Sequence, residues 1–180
     1  VQTAVHHSDA IDADRLNQRV NGYRVDVVDP LRTLRIVMDE TEGVAVDLTW
    51  EALFPVVQEQ RHLMRSGTRV TLDAQRFAQL GSWRGSIDID GEHIAVDPGT
   101  WIGTRDRSWG IRPVGEPQPA GRPADPPFEG MWWLYVPLAF EEFSVVMIIQ
   151  EEPDGFRTLN DCTRIWPDGR LEQLGWPRVR

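Results

Sequence analysis

The chain contains no lysine and only one cysteine, Cys162. Without lysine, the Schiff-base chemistry and the phosphate-binding loops that depend on that side chain are excluded. A single cysteine excludes an internal disulfide framework and a cysteine-rich zinc site, and it fits a reducing compartment. We therefore predict a cytoplasmic protein.

Long apolar runs and an excess of positive charge are also missing. Apolar runs such as Val145–Ile149 are far shorter than the roughly 20 residues that cross a bilayer. The chain carries 19 basic and 28 acidic residues, a formal charge of −9, whereas surfaces that bind phosphate backbones are basic. We predict neither a membrane span nor a nucleic-acid partner. No signal peptide is visible. Because the chain begins at Val1 rather than at a methionine, we expect a processed, trimmed or partial chain.

Alternating apolar and polar residues, punctuated by Asp-Gly pairs, are the main structural signal. Asp-Gly is typical of the type I′ turn of a β-hairpin, and it occurs at 90–91, 154–155 and 168–169. The alternation predicts strands over 23–28, 32–39, 44–50, 69–73, 83–89, 92–97, 100–112, 131–138, 142–150 and 156–166, with a short one at 170–174. Many short strands with little helix favour an all-β sandwich or barrel, and closure removes exposed edges. We predict an antiparallel β-barrel unit spanning residues 1–180.

Three segments depart from this pattern. Glu51–Arg65, interrupted by Pro55, is open between a helix, an irregular lid and a bulged strand. Residues 1–20 are either an arm or an incomplete entry strand. Residues 113–127 contain six prolines and cannot pair in a sheet, so they form a lid beside a binding mouth or a linker between two β units.

The most informative segment is Trp101–Arg112, which follows a hairpin centred on Asp90-Gly91. It resembles the lipocalin-like superfamily of carotenoid 1,2-hydratases (hydroxyneurosporene synthases) and AttH-like proteins. The resemblance is carried by Gln79, Gly81, Gly85, Ile87, Ile89, Asp90 and Gly91, then by Gly103, Arg105, Asp106, Arg107, Ser108, Trp109, Gly110 and Arg112. It implies a lipocalin-like (calycin-type) fold, with two such β units in one longer chain enclosing an apolar pocket.

The resemblance also implies roles for individual residues. In the hydratases the motif supplies a His and a Trp two residues apart, with a Tyr and a catalytic Asp about 25 residues downstream. Here Arg107 stands at the His position, Trp109 at the Trp position and Tyr135 at the Tyr position. Pro137 stands where the Asp would be, which departs from the hydratase pattern.

The alternation of an extended strand gives an independent view of the same residues. Arg105, Arg107 and Trp109 would share one face, and Asp106 the other. Asp106 is a competent base or an ion-pair partner, and a structural ion-pair network with Arg107 is the alternative to direct ligand contact. Trp109 either lines a pocket or packs in the core. The predicted catalytic residues are Asp106, Arg107 and Tyr135, and the predicted ligand-binding residues are Trp109, Arg105, Trp133 and Trp101.

The sequence leaves three functions open. The barrel could bind an apolar small molecule such as a terpenoid, a polyketide or a lipid. It could also act on that ligand as a hydratase or an isomerase by acid–base catalysis without a cofactor. Alternatively, it is a structural or regulatory module filled by its own side chains. We predict no cofactor and no metal site, and we expect a homo-oligomer or a missing second barrel.

Overall fold

The protein is described here by a computed structural model covering residues 4–10, 12–111, 120–121 and 129–178. These residues form strands and no helix. The strands are β1 (Gln18–Val20), β2 (Tyr23–Asp29), β3 (Thr33–Thr41), β4 (Val44–Ala52), β5 (Val57–Gln58), β6 (His62–Ser66), β7 (Arg69–Ile89), β8 (Glu92–Val96), β9 (Ile102–Ile111), β10 (Trp132–Ala139), β11 (Ser144–Glu151), β12 (Arg157–Ile165) and β13 (Leu171–Gln173). The strand pairs with a defined register are antiparallel. The predicted all-β, antiparallel class is confirmed, and it is consistent with a lipocalin-like β-barrel.

The chain divides into two compact units. Unit 1 comprises Val1–Pro55 and Leu80–Thr104, and unit 2 comprises Val56–Gln79 and Arg105–Arg180. Strand β7 contributes its second half to unit 1 and its first half to unit 2. Strand β9 likewise begins in unit 1 and continues in unit 2.

In unit 1, neighbouring strands pair in the order β1, β2, β3, β4, the second half of β7, and β8. Glu42-Gly43 joins β3 to β4 and Asp90-Gly91 joins β7 to β8, and all four residues have positive φ. Two successive positive φ angles are what a type I′ turn requires, so the hairpin predicted at Asp90-Gly91 is confirmed. The fully buried indole of Trp50 packs in the core of this unit.

In unit 2, β5 and β6 pair with the first half of β7, and β10 to β13 form a four-stranded meander. Hairpins occur at the predicted Asp154-Gly155 and Asp168-Gly169 pairs. Only the glycine of each pair has positive φ, so these two turns are not of type I′. Both loops are longer than two residues, and a single left-handed glycine suffices to close such loops.

Strand β7 runs without a break over 21 residues, although the alternation predicts two separate strands, 69–73 and 83–89. All residues from 77 to 82 are buried. A strand buried on both faces loses the alternation between apolar and polar residues. The missing alternation therefore reflects burial rather than a break in the strand.

The stretch Glu51–Arg65 is not a helix. Strand β4 ends at Ala52, and the short strands β5 and β6 follow. Pro55 lies between β4 and β5, where its missing N–H costs no ladder hydrogen bond. The helix alternative is therefore wrong, and interrupted strands replace it.

Two further predictions concern the proline-rich segment and the first twenty residues. The proline-rich segment 113–127 lies outside the described residues, apart from 120–121, and so does Arg112. Within residues 1–20, residues 18–20 form β1 on the edge of β2, which corresponds to a short entry strand.

Gly81 occupies a position where a side chain has no room. A Cβ atom there would overlap the indole ring of Trp50 and the carbonyl oxygen of Glu51 on the neighbouring strand. Glycine is required because the backbone and a fully buried indole ring meet at this point.

We predict that Gly81→Ala lowers the free energy of unfolding by about 1–3 kcal/mol, because the added methyl group overpacks the contact with Trp50. Urea unfolding monitored by tryptophan fluorescence measures the change. Gly99→Ala is the matched control, since a Cβ at Gly99 meets only the carboxylate of Asp97. Equal stability of the two variants would contradict the prediction.

Candidate functional site

A buried ion pair joins Glu59 and Arg76 within unit 2. The Arg76 Nε atom lies 2.9 Å from Oε2 of Glu59, and the two side chains are only 13% and 3% exposed. The backbone sets this pairing, because β5 pairs with β7 and the N–H of Glu59 then donates to the carbonyl of Arg76 at 3.0 Å. The register of the sheet therefore holds the two charged groups side by side.

Burial raises the pKa of Glu59 to about 7 from its ordinary value of 4.5. The guanidinium of Arg76 opposes this shift, while the nearby carboxylates of Asp106 and Asp161 add to it. Removing a carboxylate from water and placing it near like charges both favour the neutral form. The carboxyl group of Glu59 can therefore hold or release a proton near neutral pH.

Tyr135 on β10 belongs to the same electrostatic cluster. Burial raises its pKa to about 12, and the charges of Glu59 and Asp106 contribute to the shift. Its hydroxyl oxygen is buried and has no hydrogen-bond partner among the described residues. Because the phenol stays protonated, it presents a hydrogen-bond donor beside Glu59 and Arg76.

Aromatic side chains surround the charged groups. The guanidinium of Arg76 lies over the ring of Trp133, with 5.1 Å from its carbon to the ring centroid. Phe77 contacts two side chains of β9: Arg105 lies 5.1 Å over its ring, and the ring of Trp109 is 6.3 Å away. Arg105 and Trp109 therefore reach the same neighbour, as residues on one face of a strand would.

The other predicted site residues are placed as follows. Asp106 and Arg107 are exposed on β9. The charge of Asp106 contributes to the raised pKa values of Glu59 and Tyr135. The pKa of Arg105 is lowered mainly by burial, and the nearby guanidinium of Arg107 adds to that shift. Trp101 belongs to unit 1, where its carbonyl accepts a hydrogen bond from Trp83. The structure thus brings Tyr135, Trp133, Arg105 and Trp109 into one unit and leaves Trp101 in the other.

Sequence reasoning missed Glu59 and Arg76. Glu59 lies in the stretch that was open between helix, lid and strand, and Arg76 lies in the part of β7 that shows no alternation. A usable signal was present, because Arg76 stands among the apolar residues Ala74, Phe77, Ala78 and Leu80. An arginine in a buried strand needs a carboxylate partner.

The arrangement contains one group that can exchange a proton near neutral pH and two that can act on its neighbours. Glu59 is the group that can change its protonation state near neutral pH, while Tyr135 can donate a hydrogen bond and Arg76 can stabilise negative charge. Among the residues that the structure describes, no group of three or more His, Cys, Asp or Glu side chains could hold a metal ion. Those residues also contain no helix with the length and apolar character of a membrane span.

In fold and site, the chain is an all-β, antiparallel protein with a buried acid–arginine pair flanked by aromatic side chains. The model of a family described as "Family of unknown function (DUF8625)" matches residues 1–169, so the chain belongs to that family. No curated protein and no solved structure matches the chain.

We predict that the folded protein loses stability as the pH rises from about 5 to about 7.5. Glu59 keeps its proton up to about pH 7 in the folded state, whereas the unfolded chain releases it near the ordinary value. Ionisation of Glu59 therefore costs the folded state free energy, about 3 kcal/mol at most. Urea unfolding at a series of pH values measures the change.

Glu59→Gln should remove this part of the pH dependence, because the amide does not titrate. Glu92→Gln, at an exposed position on β8, is the matched control and should keep the wild-type profile. A Glu59→Gln protein with the same slope as wild type between pH 5 and pH 7.5 would show that Glu59 does not titrate there.

Proposed function

We propose that unit 2 binds an apolar small molecule of the terpenoid, polyketide or lipid class and acts on it by cofactor-independent acid–base chemistry of the hydratase or isomerase type. The observation that carries the proposal is the buried Glu59–Arg76 pair beside the Tyr135 hydroxyl, which has no hydrogen-bond partner among the described residues. A carboxyl group in such surroundings is typical of a general acid or base.

Exposed indole rings in the same unit support an apolar ligand. Trp133 contacts the guanidinium of Arg76 and is 40% exposed. Trp109 contacts the ring of Phe77 and is 46% exposed. Large apolar side chains that remain open to solvent are typical of ligand-binding grooves. An isoprenoid or acyl chain would cover them and place its reactive carbons near Glu59.

In hydration, the protonated Glu59 transfers its proton to one carbon of an alkene. Water then adds to the other carbon and returns a proton to the Glu59 carboxylate, which restores the starting state. In isomerisation, Glu59 in its carboxylate form removes a proton at one carbon and then returns it at another. Arg76 stabilises the carboxylate form, and Tyr135 donates a hydrogen bond to a polar group of the ligand or to the water.

Glu59 also compensates for a departure from the resembled family. Pro137 stands where the hydratases have their catalytic Asp. In our proposal the buried carboxyl group of Glu59 acts as the catalytic acid or base in place of that Asp. Asp106 then acts through its charge on Glu59 and Tyr135 rather than by direct proton transfer. Membership of the lipocalin-like hydratase superfamily remains part of this proposal, supported by the antiparallel all-β fold.

The alternative function, a non-catalytic module filled by its own side chains, is favoured by one observation. Phe77 is flanked by Arg105 and Trp109, so protein side chains occupy that part of unit 2. Ligand binding and turnover distinguish the two functions. The cytoplasmic location and the homo-oligomer or second barrel stay predictions.

We predict that wild-type protein binds at least one of all-trans-retinol, geranylgeraniol and oleate, measured by isothermal titration. Trp133→Ala should weaken that binding about tenfold, because it removes an exposed aromatic surface. Trp132→Ala is the matched control, since Trp132 is the neighbouring exposed tryptophan on the same strand. Binding that both variants weaken equally, or no binding of any probe, would favour the side-chain-filled module.

We also predict that Glu59→Gln abolishes turnover of a bound isoprenoid while its affinity stays within about threefold of wild type, because the amide keeps the shape and loses the proton. Mass spectrometry of the extracted ligand measures turnover, and Asp106→Asn should retain most of it. Turnover that survives in Glu59→Gln and is lost in Asp106→Asn would reverse the two roles.

A further inference from the structure

A polar cleft of about 350 Å³ lies in unit 2, beside the connection between β5 and β6. Its lining includes four residues with side-chain amides, two acidic residues and one tryptophan. The amides belong to Gln58, Gln60, Asn160 and Gln173. An amide offers both donors and an acceptor in one plane, which few other side chains do.

Two of the amides are held with their NH₂ groups available. The Oε1 atom of Gln60 accepts from the backbone N–H of Asn160 at 3.4 Å, and the Oδ1 atom of Asn160 accepts from Nη1 of Arg157 at 3.1 Å. The backbone N–H of Gln60 in turn donates to Asp161 at 3.2 Å. These bonds fix the oxygens and leave the two NH₂ groups as donors for a ligand, as far as the described residues show.

The other two amides are held in the opposite sense. The Nε2 atom of Gln173 donates to the Thr163 hydroxyl at 2.8 Å, and the Nε2 atom of Gln58 donates to Gln75 at 3.3 Å. Both bonds engage the nitrogen and leave the Oε1 oxygen as an acceptor. The cleft therefore presents fixed donors and fixed acceptors together. A ligand with neighbouring hydroxyl groups would match this arrangement, because each hydroxyl both donates and accepts a hydrogen bond.

Trp176 adds an apolar surface at the cleft. It is 81% exposed, yet its backbone is held on both sides. The N–H of Leu174 donates to the carbonyl of Cys162 at 2.9 Å, and Nη1 of Arg157 donates to the carbonyl of Pro177 at 2.7 Å. An exposed indole on an anchored backbone offers a flat face for stacking at a low cost in entropy.

Charge narrows the class of ligand. The described lining of the cleft includes the acidic residues Glu59 and Asp161. The guanidinium of the adjacent Arg157 is paired with Glu151, with 3.0 Å between Nε and Oε2. Phosphate and carboxylate ligands are therefore disfavoured. We propose that this cleft is a binding site for a neutral saccharide, whose hydroxyl groups pair with the amides and whose apolar ring face stacks on Trp176.

Isothermal titration with maltose, cellobiose, chitobiose and lactose tests the proposal, with glucose 6-phosphate as an anionic comparison. We expect millimolar binding of at least one neutral disaccharide and at least about tenfold weaker binding of the phosphate. Trp176→Ala should weaken the disaccharide about tenfold, Trp176→Phe should restore part of the affinity, and Gln60→Leu should weaken it as well. Trp132→Ala is the matched control and should bind as wild type.

Absence of binding to all four disaccharides would overturn the proposal, and so would binding that Trp176→Ala and Gln60→Leu leave unchanged. Both residues are on or near the surface, so circular dichroism will show whether each variant is folded. The readout uses neither turnover nor an apolar ligand, so its failure would leave the acid–base proposal standing, and the converse also holds.

Discussion

The carboxyl group of Glu59 is buried beside Arg76, and the chemistry of unit 2 depends on that placement. Withdrawing a carboxylate from water costs several kcal/mol, which one arginine repays only when the geometry is good. Here the nearby carboxylates of Asp106 and Asp161 oppose ionisation further. Glu59 therefore keeps its proton up to about neutral pH. Burial and nearby negative charges also raise the pKa of Tyr135, so its phenol keeps its proton as well.

The strand register produces this placement. Because β5 is short and pairs with the first half of β7, Glu59 directly follows the paired residues and comes opposite Arg76. The next residue, Gln60, is bonded to β12 through Asp161 and Asn160. Glu59 therefore forms the buried pair, and its neighbours Gln58 and Gln60 line the amide-lined cleft. Both proposals therefore depend on the short strand β5 and on the two residues that follow it.

The sequence was informative where local chemistry decides the structure. Asp90-Gly91 forms the expected hairpin because positive φ angles are a local property of those residues. The sequence was uninformative for β7 between 74 and 82 and for the stretch after Trp50, because burial on both faces and strand breaks erase the alternation. The predicted site shows the same division. Tyr135 and Trp133 lie in the unit that contains the buried pair, but Glu59 acquires its properties from partners distant in sequence.

Glu59 is expected to titrate near neutral pH in the folded protein, and the proposed chemistry depends on this. The most direct measurement is the ¹³C NMR chemical shift of its side-chain carboxyl carbon, followed from pH 4 to pH 9 and assigned with Glu59→Gln. We predict a midpoint near pH 7. A midpoint near the ordinary value of 4.5 would contradict this prediction and leave Glu59 as the ionised half of a structural ion pair.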